Sequence, residues 1–174
     1  FGPGDKQADP NAVKRLRPTI EKLLGERDQW DTALARALFD ALAQHGTRLR
    51  MIQTGDQLRL DPQVRVEVLH PTPGVEDPLD NANSVVLRIT YAGKTLLLTG
   101  DLEQSGSQQL RQHPIEPIDL LMAPHHGGKS ANTAAFAQWT RPRHVVASCN
   151  TDHTPALARI YDRSETIHCT AATG

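Results

Sequence analysis

Two apolar segments in the middle of the chain each end in side chains that bind divalent metals. The first segment stops at Gly100 and presents the carboxylate of Asp101. The second stops at Pro124 and presents the imidazoles of His125 and His126. In an open α/β sheet, the groups that form a site gather beyond the carboxyl ends of the strands. We therefore expect Asp101 and the histidine pair to share a cation.

A third histidine, His153, follows the next apolar segment, so three successive strand ends carry candidate ligands. Aspartate oxygen and neutral histidine nitrogen suit zinc or manganese. A carboxylate that bridges two such ions supports the activation of water for phosphoester hydrolysis. The alternative is three unrelated polar residues that only satisfy local hydrogen bonds, and the succession of strand ends favours the metal site.

Hydrophobic periodicity places these residues in a series of strands and helices. The predicted class is α/β, or α+β, with a mixed sheet and covering helices. The predicted elements of the second half are strands at Val85–Tyr91, Thr95–Thr99, Ile118–Ala123, His144–Ser148 and Thr166–Thr170, and helices at Leu102–His113, Ser130–Trp139 and Ala156–Arg163.

The first half has a different pattern. Apolar residues at helical spacing predict amphipathic helices around Val13–Leu24 and Trp30–Leu42, which we interpret as a layer that covers the sheet. Alternation then predicts short strands at Leu49–Ile52, Gln57–Leu60 and Val64–Leu69.

Two other polar positions have competing interpretations. Asn83 and Ser84 stand just before a strand, where they could hold a water, a phosphate oxygen or a neighbouring ligand. They could equally form a turn that bonds to itself, and both interpretations remain open. His70 precedes Pro71, and we interpret it as a structural residue at the end of a strand.

Composition limits the function classes. A chain of 174 residues with 38% apolar content fits one domain with a substantial core. Its 19 basic and 20 acidic residues argue against a high-affinity, non-catalytic DNA clamp.

Cys149 and Cys169 are too few for a cysteine-built zinc site but allow one disulfide bond with each other. No apolar run is long enough to span a membrane. The first residue is Phe1, so we expect a fragment or a processed product.

Three segments together resemble a known family. Asn83–Leu87, Leu97–Asp101 and Ala123–Gly127 resemble the C-terminal half of the metallo-β-lactamase-like domain of the competence protein ComEC. The resemblance extends through Asp152–Pro155 and covers about Leu49–Gly174. The motifs Thr-Gly-Asp and Pro-His-His-Gly in this order make it fairly specific.

This resemblance implies an αββα sandwich, of which residues 1–174 would form a single partial domain, the second half. Residues 1–47 would be the helical layer and residues 48–174 the sheet and helices that carry the half-site. It also implies two divalent ions, zinc or manganese, and hydrolysis of DNA phosphodiesters, with single-stranded DNA as the expected substrate, during uptake in natural transformation. The parent would be a bacterial membrane protein with a membrane channel, and this domain its soluble part, with the side of the membrane left open.

Carried over by position, the resemblance assigns roles to particular residues. Asp101 matches the metal-bridging aspartate, and His125 or His126 matches a later histidine ligand, as does His153.

The same carry-over implies a substrate-binding and catalytic set. Asn83 and Ser84 match the polar start of a strand in the family and would bind substrate. Lys129 lies where a basic side chain could meet a phosphate. With Asp101 and His126, Lys129 would form the catalytic set.

The chain also departs from the family pattern. Nothing in it matches the upstream motif His-x-His-x-Asp-His, position 128 is Gly where the family usually has Ser, and His153 lacks the usual preceding Gly. We therefore expect half of a binuclear site, in a parent that is a metal-dependent hydrolase, a nuclease. The alternatives are a non-catalytic module that guides DNA or binds a partner, and another hydrolase of the superfamily such as a lactonase, a small-phosphodiester hydrolase or a β-lactamase.

Overall fold

The computed structural model describes residues 37–38, 40–42, 44–46, 52–75 and 77–173. The chain divides into two compact units, Phe1–Met51 and Ile52–Gly174. In the first unit, residues 37–38, 40–42 and 44 are helical, as predicted for the second helix. The predicted first helix and all but the last residue of the strand predicted at Leu49–Ile52 lie outside the described residues, and Ile52 itself is not in a strand.

Seven strands form one sheet in the second unit, and their order in the sheet is their order in the chain. The first four pair antiparallel and the last four pair parallel, so the sheet is mixed. The strands are β1 Gln57–Asp61, β2 Val64–His70, β3 Val86–Tyr91, β4 Lys94–Leu98, β5 Leu120–Met122, β6 His144–Ala147 and β7 Thr166–Cys169.

Short helices connect the parallel strands. The α-helices are α1 Gln104–Leu110, α2 Ala134–Thr140, α3 Thr154–Ile160 and α4 Thr170–Thr173, and the 3₁₀ helices are η1 Asp80–Asn83 and η2 His125–Gly127. The predicted α/β class, with a mixed sheet and covering helices, is confirmed. Among the described residues, no helix is long and apolar enough to cross a bilayer.

The core lies between the parallel strands and the helices that connect them. Leu97, Leu121 and Val145 occupy one row across β4, β5 and β6, and all three are fully buried. Phe136 of α2 and Leu157 of α3 belong to the same buried cluster. Because these strands are central and covered, their sequences are continuous apolar runs. Their positions could therefore be predicted from the sequence.

The predicted helix Ser130–Trp139 begins later than expected. The Thr133 side chain accepts a hydrogen bond from the Phe136 N–H at 3.2 Å, so α2 begins at Ala134. Before it, the Asn132 amide donates to the carbonyl oxygens of Pro124 and Gly128 at 3.0 and 2.8 Å, and residues 128–133 are not helical.

Two glycines set the distances between elements that surround the site. A Cβ atom on Gly106 of α1 would overlap the carbonyl oxygen of Ala82 in η1, so only glycine permits this approach. Gly127 has φ +84°, and a Cβ there would lie 3.1 Å from the Cβ of Ala147 and 3.3 Å from Cδ1 of Leu157. Any larger residue would push the loop after β5 away from β6 and α3.

Candidate functional site

The ends of β4 and β5 meet at one edge of the sheet. Their parallel pairing brings the loop after Leu98 beside the loop after Met122. The backbone N–H of His125 donates to the carbonyl oxygen of Gly100 at 3.0 Å, which joins the two loops directly. The edge therefore places Asp101 next to the histidine pair, as the sequence predicted.

The His126 ring is oriented by a backbone carbonyl. Its Nδ1 lies 2.8 Å from the carbonyl oxygen of Ser148, just after β6. A carbonyl oxygen can only accept, so in the neutral ring Nδ1 carries the proton and Nε2 keeps its lone pair. That Nε2 lies 3.5 Å from Oδ1 of Asp101. Two acceptor atoms therefore face each other across a short gap.

This gap fits a divalent cation. Two ligands that each lie about 2.0–2.1 Å from a tetrahedral ion are separated by roughly 3.3–3.4 Å. The separation of 3.5 Å between His126 and Asp101 is close to that value. Both side chains are accessible, at 63% and 46% exposure respectively. In the described part of the chain, no three His, Cys, Asp or Glu side chains are grouped closely enough to hold an ion, and this pair alone is fewer than the three or four ligands that a zinc site needs.

The backbone of the histidine loop is strained. His125, His126 and Gly127 have φ values of 48°, 56° and 84°, three successive residues in the left-handed region. For a residue other than glycine this conformation costs about 1–3 kcal/mol and persists only where the surrounding structure enforces it. Such strain is concentrated at functional sites, which supports a role for this loop beyond connecting β5 to α2.

His125 makes a different contact from its neighbour. Its Nδ1 lies 2.7 Å from Oε2 of Glu103, and the Ser130 hydroxyl donates to the same oxygen at 2.8 Å. The hydrogen bond from His125 and then that from Ser130 hold the pKa of Glu103 below its usual value, with a smaller contribution from the Asn81 side chain. A carboxylate that fixes an imidazole in this way is typical of metal and catalytic sites. The His125 ring is thereby fixed with its centroid 6.2 Å from that of the His126 ring.

His153 and Lys129 lie at the margin of this arrangement. His153 caps α3, and a Cβ on Gly127 would lie 3.6 Å from the Cβ of His153, so the third predicted ligand stands beside the histidine loop. Among the described residues, it makes no ion pair with Asp101. Lys129 is exposed and has no ion-pair partner in the same part of the chain. The metal role of His153 and the phosphate role of Lys129 stay predictions.

The Asn83 amide is engaged within its own loop. It donates to the carbonyl oxygens of Asp77 and Leu79 at 2.7 and 3.1 Å and accepts from the Asp77 N–H at 3.0 Å. This pattern favours the turn over a direct contact with substrate.

Ser84 and His70 pair beside that loop. The Ser84 carbonyl oxygen lies 2.9 Å from Nδ1 of His70, which is buried at the end of β2, as expected for a structural histidine. Substrate binding by Asn83 and Ser84 stays a prediction.

Comparison with known proteins gives matches to competence proteins, while no family model matches the chain. The chain is 30% identical over 113 residues to ComE operon protein 3 of Bacillus subtilis, which covers 64% of this chain and 14% of that protein. It is 34% identical over 71 residues to competence protein ComA of Neisseria gonorrhoeae, which covers 40% and 10%. It is 26% identical over 101 residues to recombination protein 2 of Haemophilus influenzae, which covers 55% and 13%.

The predicted resemblance to ComEC-type competence proteins is confirmed. The chain spans between 10% and 14% of the length of these relatives. Two solved structures are also similar. A metal-dependent hydrolase from Parabacteroides distasonis has a TM-score of 0.49 at 12% identity, covering 75% of this chain and 61% of that one. Igni18, a metallo hydrolase from Ignicoccus hospitalis, has a TM-score of 0.48 at 16% identity, covering 74% and 60%.

Sequence reasoning missed two groups at this edge of the sheet. Glu103 follows Asp101 by two positions, and its closeness to a predicted ligand could have drawn attention to it. Its partner His125 is 22 positions away, so the pairing itself has no local signal. The carbonyl oxygen of Ser148 is a backbone atom, and no residue type marks it.

Proposed function

We propose that this chain is part of the metal-dependent hydrolase domain of a ComEC-type protein, and that this domain cleaves single-stranded DNA during uptake. The observation that carries the proposal is the 3.5 Å separation between Nε2 of His126 and Oδ1 of Asp101 at converging strand ends. The similarity to competence proteins supplies the biological setting. The partner in the parent protein would be its membrane channel.

Within this proposal, Asp101 and His126 would hold the cation, zinc or manganese, and His153 would add a ligand from the loop before α3. A bound divalent ion supplies Lewis acidity for phosphoester hydrolysis. A zinc site needs three or four protein ligands, and the upstream motif that the family resemblance implies would supply the remaining ones.

The other residues act on the phosphate. Glu103 fixes His125 through Nδ1, and when the ring is protonated its Nε2–H can donate a hydrogen bond to a phosphate oxygen. Lys129 is exposed beside the loop and offsets negative charge on the same group. Fixed donors of this kind stabilise the transition state because they need no reorganisation during the reaction.

The direct test uses the protein with its upstream segment and a labelled single-stranded oligonucleotide, with manganese or zinc added. We expect cleavage by the wild type and loss of cleavage by Asp101→Ala. Asp119→Ala is the matched control, because Asp119 is a carboxylate at the opposite ends of the same strands. Equal cleavage by the wild type and Asp101→Ala would remove the nuclease proposal.

A second candidate is a non-catalytic module that guides DNA or binds a partner. It is favoured by one observation, that the described residues contain no group of three metal-binding side chains. Metal analysis of the complete domain separates the two candidates. A binding module holds far less than one equivalent of metal, whereas the proposed hydrolase holds at least one.

A further inference from the structure

The carbonyl that orients His126 lies outside the hydrogen-bond ladder of the sheet. β6 ends at Ala147, and its last pair with β7 is Ala147 with Cys169. Ser148, the next residue, supplies the carbonyl oxygen to Nδ1 of His126 at 2.8 Å. Its position must therefore be fixed by something other than strand pairing.

Three contacts fix the residue that follows Ser148. Cys149 is joined by a disulfide to Cys169 at the end of β7, with a Cα–Cα distance of 6.4 Å. The Thr170 hydroxyl accepts from the Cys149 N–H at 2.9 Å and donates to its carbonyl oxygen at 2.8 Å. Backbone and side chain of Cys149 are thus both tied to the end of β7.

We propose that the disulfide between Cys149 and Cys169, with Thr170, is a positioning device that fixes the carbonyl of Ser148 and through it the ring of His126. The proposal rests on the proposed function, since it concerns the same site. The segment of 20 residues that the bond closes also contains His153, the third predicted ligand. One covalent bond therefore constrains both the residue next to the carbonyl that orients His126 and the segment that contains His153.

The chemistry sets the conditions under which the site is complete. Oxidation removes two protons and two electrons from the thiols of Cys149 and Cys169, and a disulfide donor on another molecule is reduced to its dithiol. Disulfides persist in oxidising compartments and are rare in the cytosol. The proposed arrangement is therefore complete only while this disulfide is oxidised.

The test reads the His126 ring without metal or DNA. Long-range proton–nitrogen NMR on the ¹⁵N-labelled chain, at a pH where histidines are neutral, reports which ring nitrogen carries the proton. In the oxidised protein we expect a single tautomer with the proton on Nδ1. After reduction by a phosphine we expect the two ring nitrogens to shift toward averaged values. His144, whose Nδ1 lies 2.8 Å from Oγ1 of Thr166 at the other end of β6, is the internal control and stays unchanged.

Variants keep the proposal falsifiable if the double variant Cys149→Ser/Cys169→Ser does not fold. Thr170→Val removes both hydroxyl contacts and leaves the disulfide, so it should shift the His126 signals in the same direction by a smaller amount. A His126 ring that keeps its Nδ1 proton and its shifts in the folded, reduced protein would overturn the proposal. The NMR measurement does not depend on DNA cleavage. A protein that fails to cleave DNA can therefore still show the expected change at His126, and the two proposals can fail separately.

Discussion

The two edges of the parallel sheet treat their carboxylates differently. Just before β5, Asp119 accepts hydrogen bonds from the Lys94 ammonium at 3.0 Å and from the N–H and hydroxyl of Thr95 at 2.9 and 3.1 Å. After β4, Asp101 accepts no hydrogen bond from a described residue and faces the lone pair of His126 instead. The first carboxylate is satisfied by hydrogen bonds within the protein, whereas no described residue donates a hydrogen bond to the second.

The same contrast holds for how β6 and β7 are tied together. At their amino ends, the exposed side chains of Arg143 and Glu165 form an ion pair at 2.7 Å. At their carboxyl ends, the tie is the disulfide between Cys149 and Cys169. An exposed ion pair contributes little to stability. The disulfide, at the carboxyl ends of the strands where the candidate site lies, is therefore the stronger of the two connections.

The largest expected effect is on stability. Removing the disulfide with Cys149→Ser/Cys169→Ser frees a 20-residue segment of the unfolded chain and should lower the free energy of unfolding by ~3 kcal/mol. Arg143→Ala, at the opposite ends of the same strands, should have a much smaller effect. Urea unfolding followed by circular dichroism measures both variants, and equal losses would contradict the contrast between the two edges.

The next largest effect is on activity. Asp101→Asn keeps the size of the side chain but weakens a metal ligand, so kcat/KM for DNA cleavage in the complete domain should fall about 100-fold, or 2.7 kcal/mol. Stability should stay unchanged, because Asp101 accepts no hydrogen bond from a described residue. Asp119→Asn should show the reverse, with unchanged cleavage and lower stability. Similar activity losses in the two variants would remove the distinction between the carboxylates.

A smaller loss is expected at Glu103. Glu103→Gln removes the charge that stabilises the His125 hydrogen bond, and cleavage should fall about tenfold. Ser105→Ala is the matched control, since the Ser105 hydroxyl donates to Asp77 and not to the site. The measurement is kcat and KM for both variants. A Glu103→Gln enzyme with wild-type kcat would contradict the positioning role of this carboxylate.

The smallest effect is a pH dependence at Asp119. Its hydrogen bonds, that of Lys94 first, lower its pKa to about 2. A carboxyl group whose pKa is lowered by folding contributes stability above its unfolded pKa, and this contribution disappears as the pH falls through the folded value. The stability difference between wild type and Asp119→Asn should therefore be constant above about pH 5 and shrink toward pH 2. A difference that does not change with pH would contradict this origin.

The strand ends could be predicted from the sequence because central strands are apolar and stop abruptly. This was sufficient to place Asp101 beside His126 across 25 positions of chain. The start of α2 could not be predicted, because Asn132 bonds to the carbonyls of Pro124 and Gly128 just before the helix begins. The same holds for Glu103, since its role depends on a partner that only the assembled sheet edge brings near.

Adjacent imidazoles in this loop are not interchangeable. With two successive residues in the left-handed conformation, one ring is turned toward a carboxylate of α1's leading turn and the other toward a carbonyl beyond β6. Two adjacent residues of the same type thus make two different contacts, and neither ring can replace the other. We therefore expect that neither His125 nor His126 can take over the contact of the other, although the two residues are identical and adjacent in the sequence.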